Sequence, residues 1–207
     1  MQNLYFIRHG QTEWNAIRRM QGQWNSNLNE AGRGHADING QLLAKLNIDA
    51  LYVSPLDRTR QTAEIINQYL NLEPIFDDRI KEWHCGDWSG EMYAEIPNKW
   101  PKEWQQMEDD RFYFRPPNGE NYPDMFERAK PFVEELLAST QRNIAIVSHG
   151  MIGKVMFSYL MGYEPQEVLA VHQDNDMVFK VTIDGDERHI EHFLAGKGPI
   201  AGLPFED

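Results

Sequence analysis

Apolar residues in this chain come in short runs separated by longer amphipathic stretches. Leu4-Tyr5-Phe6-Ile7 opens the series and predicts a strand over 4–8, followed by a polar loop to about Asn29. Ala36, Leu42, Leu43 and Leu46 then fall on helical spacing, which predicts a helix over 30–46. A short run at 49–53 predicts a second strand, broken by Ser54-Pro55 and followed by a helix over 56–70. Pro74-Ile75-Phe76 reads as a third strand, 126–140 as a helix, 144–148 as a fourth strand and 151–161 as a helix. The runs 178–183 and 188–193 read as a hairpin across Asp184-Gly185-Asp186. Strands alternating with helices argue an α/β fold of three layers, α/β/α, around a mainly parallel sheet.

One stretch does not keep this rhythm. From about 83 to 122 the chain holds Trp83, Trp88, Trp100, Trp104, Tyr93, Phe112, Tyr113, Phe114 and Tyr122, interrupted by Pro97, Pro101, Pro116, Pro117 and Asn118-Gly119. A long insertion inside a compact unit is usually functional. It is read here as a small helical cap beside a site, within one domain spanning 1–207. A plainer reading makes it a second small aromatic core with no contact to substrate.

Composition narrows the partners. The 207 residues suit one domain with a full core. Twenty basic against 32 acidic residues give a net charge of -12, which argues against nucleic acid as a partner. A small anionic substrate is not excluded, because a cationic pocket can sit inside an acidic molecule. The single cysteine, Cys85, precludes an intramolecular disulfide and reads as a small buried hydrophobe. No signal-like start and no long apolar run are seen, so no membrane association and a cytoplasmic location are expected. A symmetric homodimer is the general expectation for a soluble protein, and the sequence adds little to it.

The candidate chemistry lies where strands end. Arg8-His9-Gly10-Gln11 follows the first strand, and Ser148-His149-Gly150 follows the fourth. Open α/β sheets bind ligands outside the carboxyl ends of their strands. Ser54 to Ala63, with Arg58 and Arg60, follows the second strand and opens a helix, and Glu82 lies in a Trp- and Gly-rich segment. Two histidines, two arginines and a carboxylate suit phosphoryl transfer. Guanidinium forks match phosphate oxygens, a neutral imidazole can attack phosphorus, and a carboxylic acid can protonate the leaving oxygen. Each side chain also has a plainer reading: a stray loop histidine, a helix salt bridge (for which Arg60 is the better candidate), a surface carboxylate. His189 and His192 are three apart on a predicted strand, hence on opposite faces, and make no metal pair. His35, His84 and His172 carry no clear signal.

These segments together resemble the histidine phosphatase superfamily, the phosphoglycerate mutase-like group, over roughly residues 3 to 195. The resemblance rests on Arg8-His9-Gly10 with Thr12 and Asn15, on the S-P-L-x-R-x-x-x-T pattern at 54–62, and on E-x-x-x-G-x-W-x-G at 82–90. It implies that His9 becomes phosphohistidine and that Arg8, Arg58 and His149 complete the phosphate pocket, His149 as a cation or hydrogen-bond donor. It implies Asn15 and Thr12 as further phosphate-side residues, and Gly150 as a place where backbone approaches phosphate. Glu82 would be the general acid and then the base that activates water. Gln21 matches a phosphate-proximal glutamine of broad-specificity bacterial members. The family implies neither a metal nor another cofactor, and a small phosphorylated metabolite as substrate.

The same pocket could serve a phosphatase, a cofactor-dependent phosphoglycerate mutase-type isomerase or a non-catalytic binding module. A mutase must hold a bisphosphorylated intermediate, which calls for extra cations. The insertion offers Lys99, Lys102, Arg111 and Arg115 among Glu103, Glu108, Asp109 and Asp110, and the tail after Gly196 is short. A phosphatase is therefore expected. Its dense aromatics suggest a leaving group with an apolar or ring-bearing body.

Overall fold

The computed structural model describes residues 1–203. In chain order the elements are β1 (Gln2–Arg8), α1 (Glu13–Ala16), α2 (Glu30–Leu43), β2 (Ala50–Val53), α3 (Asp57–Leu70), β3 (Pro74–Phe76), α4 (Ile96–Lys99), α5 (Pro101–Asp109), α6 (Tyr122–Ala138), β4 (Asn143–Ser148), α7 (Gly150–Met161), α8 (Pro165–Ala170), β5 (Met177–Asp184), β6 (Glu187–Leu194) and β7 (Lys197–Ala201). The strands form one seven-stranded sheet in the order β3-β2-β4-β1-β5-β6-β7. The first four in that order run parallel. β5, β6 and β7 complete it as an antiparallel edge.

Alternation along β1 explains the layers. Side chains of successive strand residues point to opposite faces. Leu4 and Phe6 join Ile144, Ile146 and Phe179 against α6 and α7. Tyr5 and Ile7 join Ala145, Val147 and Leu51 against α2 and α3. A strand buried on both faces reads as an unbroken apolar run, which is how Leu4-Tyr5-Phe6-Ile7 appears in the sequence.

Helix ends differ from the sequence expectation for identifiable reasons. α2 stops at Leu43 rather than 46, because Lys45 and Leu46 make tight turn bonds to Leu42 and Leu43 and Asn47 takes φ +50°. α6 starts at Tyr122 rather than 126. Asn121 caps it, Asp124 returns the bond to Asn121 N, and Pro123 sits in the first turn, where no N–H is needed. β7 was read only as part of a short tail. It is an exposed edge strand containing Gly198 and Pro199, a composition that argues against a strand anywhere but an edge. The last four residues of the expected 1–207 domain lie outside the described residues.

Residues between β3 and α6 leave the sheet. They carry α4 and α5 and gather a small core of their own, in which Met20, Cys85, Trp88 and Ile96 are buried with Trp83, Trp100, Trp104, Met107 and Phe114 around them. Cys85 is buried, and that burial pushes its thiol up to about 11, which fits the hydrophobe reading. His189 and His192 fall on opposite faces as alternation requires: His189 is exposed, and His192 is buried with Nδ1 at 2.7 Å from Gly202 O. No helix among the described residues is long and apolar enough to cross a membrane.

Candidate active site

The carboxyl ends of β1, β2 and β4 meet. Arg8 pairs with Ser148 across the ladder, His9 N donates to Ser148 O at 3.0 Å, and Ser54 N donates to Val147 O at 3.0 Å. The sheet thus delivers His9, His149 and the Ser54–Arg58 turn to one place. Gly10 is required by packing. A Cβ on Gly10 would lie 2.1 Å from Gly32 O, and one on Gly32 would lie 2.0 Å from Gln11 O. The loop after β1 is therefore pressed backbone to backbone against the start of α2.

Arg8, His9, Asn15, Gln21, Arg58, Glu82 and Gly150 all line one cavity of about 750 Å³. His9 is 3% exposed, with Nδ1 at 2.8 Å from Gly10 O. Arg58 Nε donates to His9 Nε2 at 3.2 Å. These two contacts fix the tautomer: Nδ1 carries the proton and Nε2 presents a lone pair. Burial, with the Arg58 and Arg8 charges, holds His9 well below the usual imidazole range, so the ring is neutral.

Arg58 is itself 1% exposed and anchored by Nη1 to Trp24 O at 2.8 Å and by Nη2 to Gly22 O at 2.6 Å. Arg8 donates from Nη1 to Gln173 O at 2.8 Å, while its buried Nε has no partner. Both guanidiniums are bonded to neutral groups rather than to carboxylates. Burial depresses both, Arg58 to about 10. Two desolvated cations held side by side favour an anion.

Glu82 lines the same cavity beside the amino end of α7, which follows β4 directly. Its Oε1 accepts from Trp83 N at 2.9 Å and Ile152 N at 3.1 Å, and its Oε2 from Met151 N at 3.2 Å. The amino end of α7 thus holds the carboxylate. Gly150 begins that helix and lines the cavity, with the Arg8 guanidinium at van der Waals range of where its Cβ would be, 3.4 Å from Nε.

Three further expectations are refined. His149 is fully buried, edge-on to His9 with ring centroids 5.2 Å apart, and bonded through Nε2 to Ser54 Oγ at 2.7 Å. Burial, with the Arg58, His9 and Arg8 groups beside it, holds His149 well below the usual imidazole range. Its Nδ1 is a buried atom without a partner, as is Gln21 Oε1 on the cavity wall. Thr12 is also fully buried and does not reach the cavity. It caps α1, and its N and Oγ1 each donate to Asn15 Oδ1 at 3.0 Å. Asn15 is left with its amide NH₂ to offer.

Sequence reasoning missed part of the wall. Gln11, Arg18, Arg19, Tyr93 and Lys154 line the cavity, as does the segment from Val171 to Asn175. Gln173 Nε2 bonds Phe6 O at 2.9 Å, and Asn175 Nδ2 bonds His9 O at 2.6 Å. The polar run Gln173-Asp174-Asn175-Asp176 before an apolar strand was the available signal. It points to the site only once β5 is known to run antiparallel beside β1, which brings its leading loop to the carboxyl end of β1.

A neutral imidazole lone pair, two guanidiniums and a carboxylate thus gather in one cavity at the carboxyl end of a doubly covered α/β sheet. The sequence model of the histidine phosphatase superfamily (branch 1) matches residues 4–195, and the chain belongs to that family. It is 32% identical to phosphoserine phosphatase 1 of Hydrogenobacter thermophilus, an alignment covering 84% of this chain and 83% of that one. It is 34% identical to a probable phosphoglycerate mutase, GpmB, of Serratia proteamaculans, over 78% of this chain and 76% of that one. Mycobacterial glucosyl-3-phosphoglycerate phosphatase superposes with a TM-score of 0.81 at 29% identity, covering 88% of this chain and 93% of that one.

Proposed function

We propose that this chain is a metal-independent phosphatase that hydrolyses small phosphomonoesters through a phosphohistidine on His9. The observation that carries the reading is the pinned tautomer, with Nδ1 on Gly10 O and Nε2 facing a guanidinium N–H. Nε2 attacks phosphorus, and the bond to the leaving oxygen breaks. That oxygen takes its electron pair and a proton from Glu82. Water then attacks the phosphoryl group and gives a proton back to Glu82. The P–N bond breaks, and its electron pair returns to Nε2. Arg8 and Arg58, with Asn15 and Gln21, stabilise charge on the transferring oxygens, so the step draws its electrostatic assistance from the chain itself.

The leaving group faces the insertion. A second cavity of about 400 Å³ shares Arg18, Met20, Trp83, Tyr93, Met151 and Lys154 with the first and continues between Trp104, Phe114 and Tyr122. That annex favours a substrate with an apolar or ring-bearing body. Comparing kcat/KM across aryl phosphates, nucleotides, phosphoserine and sugar phosphates checks this. A preference for small sugar bisphosphates would overturn it.

One observation favours the mutase reading as a second. The cap cations are largely occupied, Lys99 by Glu91 and Glu95 and Arg115 by Asp124. Arg18, Arg19 and Lys154 are the further cations on the cavity wall, and a second phosphate would draw Arg19 from Gly90 O and Lys154 from Leu169 O. The deciding experiment measures phosphate release from p-nitrophenyl phosphate and 3-phosphoglycerate with EDTA present, for wild type and His9→Ala. Conversion of 3- to 2-phosphoglycerate is followed with 2,3-bisphosphoglycerate added. Release that vanishes in His9→Ala supports the phosphatase. Isomerisation much faster than release supports the mutase, and silence in both favours a binding role.

A further inference from the structure

Behind Glu82 a single guanidinium ties together both ends of the aromatic insertion. Arg128, on α6, commits its whole fork. Nη1 donates to Arg79 O at 2.7 Å and to Lys81 O at 2.8 Å. Nη2 reaches Glu82 O at 3.4 Å, while Nε and Nη2 grip the Glu120 carboxylate, each at 2.9 Å. Glu120 in turn accepts from His84 N at 2.9 Å, donates its own N–H to His84 O at 2.8 Å, and takes the Trp83 indole N–H on its carbonyl. Residues 83–84 begin the insertion and residue 120 closes it, so the two ends are zipped together at Arg128. Gln23 Nε2 donates to the same Glu82 O at 2.9 Å.

We propose that the Arg128–Glu120 pair is a positioning device that sets the Glu82 carboxylate at proton-transfer distance from the leaving oxygen. This inference rests on Glu82 acting as the acid, as read above. Both side chains are only 21% exposed, so the pair is screened less than a surface bridge. Arg128 holds the carbonyls of Arg79, Lys81 and Glu82 itself, so a shift of that backbone carries the Glu82 side chain with it. The three N–H groups that hold the carboxylate then lose their register. Misplacement of a reacting group by about 1 Å can cost on the order of a hundredfold in rate.

The test uses leaving groups that differ in their need for a proton. p-Nitrophenolate departs without one; an alkoxide does not. kcat/KM reports only the steps through formation of the phosphoenzyme, so it isolates the acid from the later attack by water. Arg128→Gln and Glu120→Gln should lower kcat/KM for an alkyl phosphate by about tenfold to a hundredfold and for p-nitrophenyl phosphate by less than about threefold. Arg128→Lys should recover part of the loss. Glu82→Gln, run alongside, should show the same split and a deeper one. Equal losses on both substrates, or no loss on either while Glu82→Gln shows the split, would overturn the positioning role. Glu82→Gln without a split would remove the acid assignment itself, and the inference with it. Thermal melts of each variant separate a misfolded chain from a mispositioned acid, and Arg128→Lys keeps the test available should Arg128→Gln fail to fold.

Discussion

The two walls of the cavity are built in opposite ways. The phosphate wall is made of strand ends and helix starts, where His9 and Arg58 are buried, Arg8 is half-buried, and all three are bonded to backbone. The cap wall is made of side chains from an insertion whose aromatics pack largely on one another, as Trp88 does on Phe114 with ring centroids 5.3 Å apart. The first wall has almost no freedom and holds the groups proposed for the chemistry. The second is joined to α6 through Arg128, the Arg115–Asp124 pair and the stacking of Phe112 on Tyr122. Preorganised charge belongs on rigid elements, whereas selectivity for a leaving group can be placed on an insertion without disturbing it.

Substitutions can break this contrast or sharpen it. The largest effect should come from Arg58→Ala, which removes the donor to His9 Nε2 and a phosphate-facing cation together. kcat/KM should fall by about a thousandfold or more on every phosphomonoester, whatever its leaving group. A loss confined to ring-bearing substrates would mean that the walls do not divide the work in this way.

Acid should also distinguish the walls. His9 and His149 both have folded values well below the 6.5 of a free imidazole. The unfolded chain therefore binds protons that the folded chain refuses once pH drops below about 6.5. Their contribution is complete above that pH and is lost as pH falls toward the folded values. The slope reaches about 1.4 kcal/mol per pH unit for each histidine. Melting temperatures measured from pH 7 down to 5 should decline, and His9→Ala should flatten the decline. An unchanged slope in that variant would place the acid sensitivity elsewhere.

Trp104→Ala addresses the cap wall alone, because Trp104 lines the annex and not the phosphate cavity. kcat/KM should drop about tenfold for ring-bearing phosphates and stay within about twofold for a small alkyl phosphate. A uniform drop would show that the cap core supports the phosphate wall after all. The smallest effect should come from Thr12→Val, which removes the α1 cap and one of the bonds that orient Asn15. About 1 kcal/mol of stability should go, with a loss of kcat/KM smaller than that of Asn15→Ala. A larger loss would mean that Thr12 does more than hold Asn15.

The phosphate wall was legible in the sequence because its geometry is local. An apolar run followed by His-Gly places a histidine at a strand end whatever happens elsewhere, and the β1 and β4 junctions both do so. Glu82 was different: no periodicity marks it, and only its flanking motif separates it from an ordinary carboxylate. The turn at Asn121 carried a capping signal in Asn121-x-x-Asp124, but it was hidden by the proline-rich stretch before it. Gln173 and Asn175 were out of reach of local reasoning, since their place depends on which neighbour β5 chooses. The need for glycine at position 10 was equally out of reach, because it comes from the Gly32 backbone and not from its own φ.

The central position of β1 bears on how the molecule comes into being. Its hydrogen-bonding partners are residues 143–148 on one side and 178–183 on the other. During synthesis, the segment bearing His9 leaves the ribosome well before either flank can be paired. Contacts so distant in sequence make for slow folding, and an unpaired apolar strand is exposed to misassociation in the interval. A nascent chain halted before about residue 180 would contain His9, Arg58 and Glu82 without the strand that closes their sheet. Catalytic competence would therefore arrive late and all at once, with the docking of the antiparallel edge.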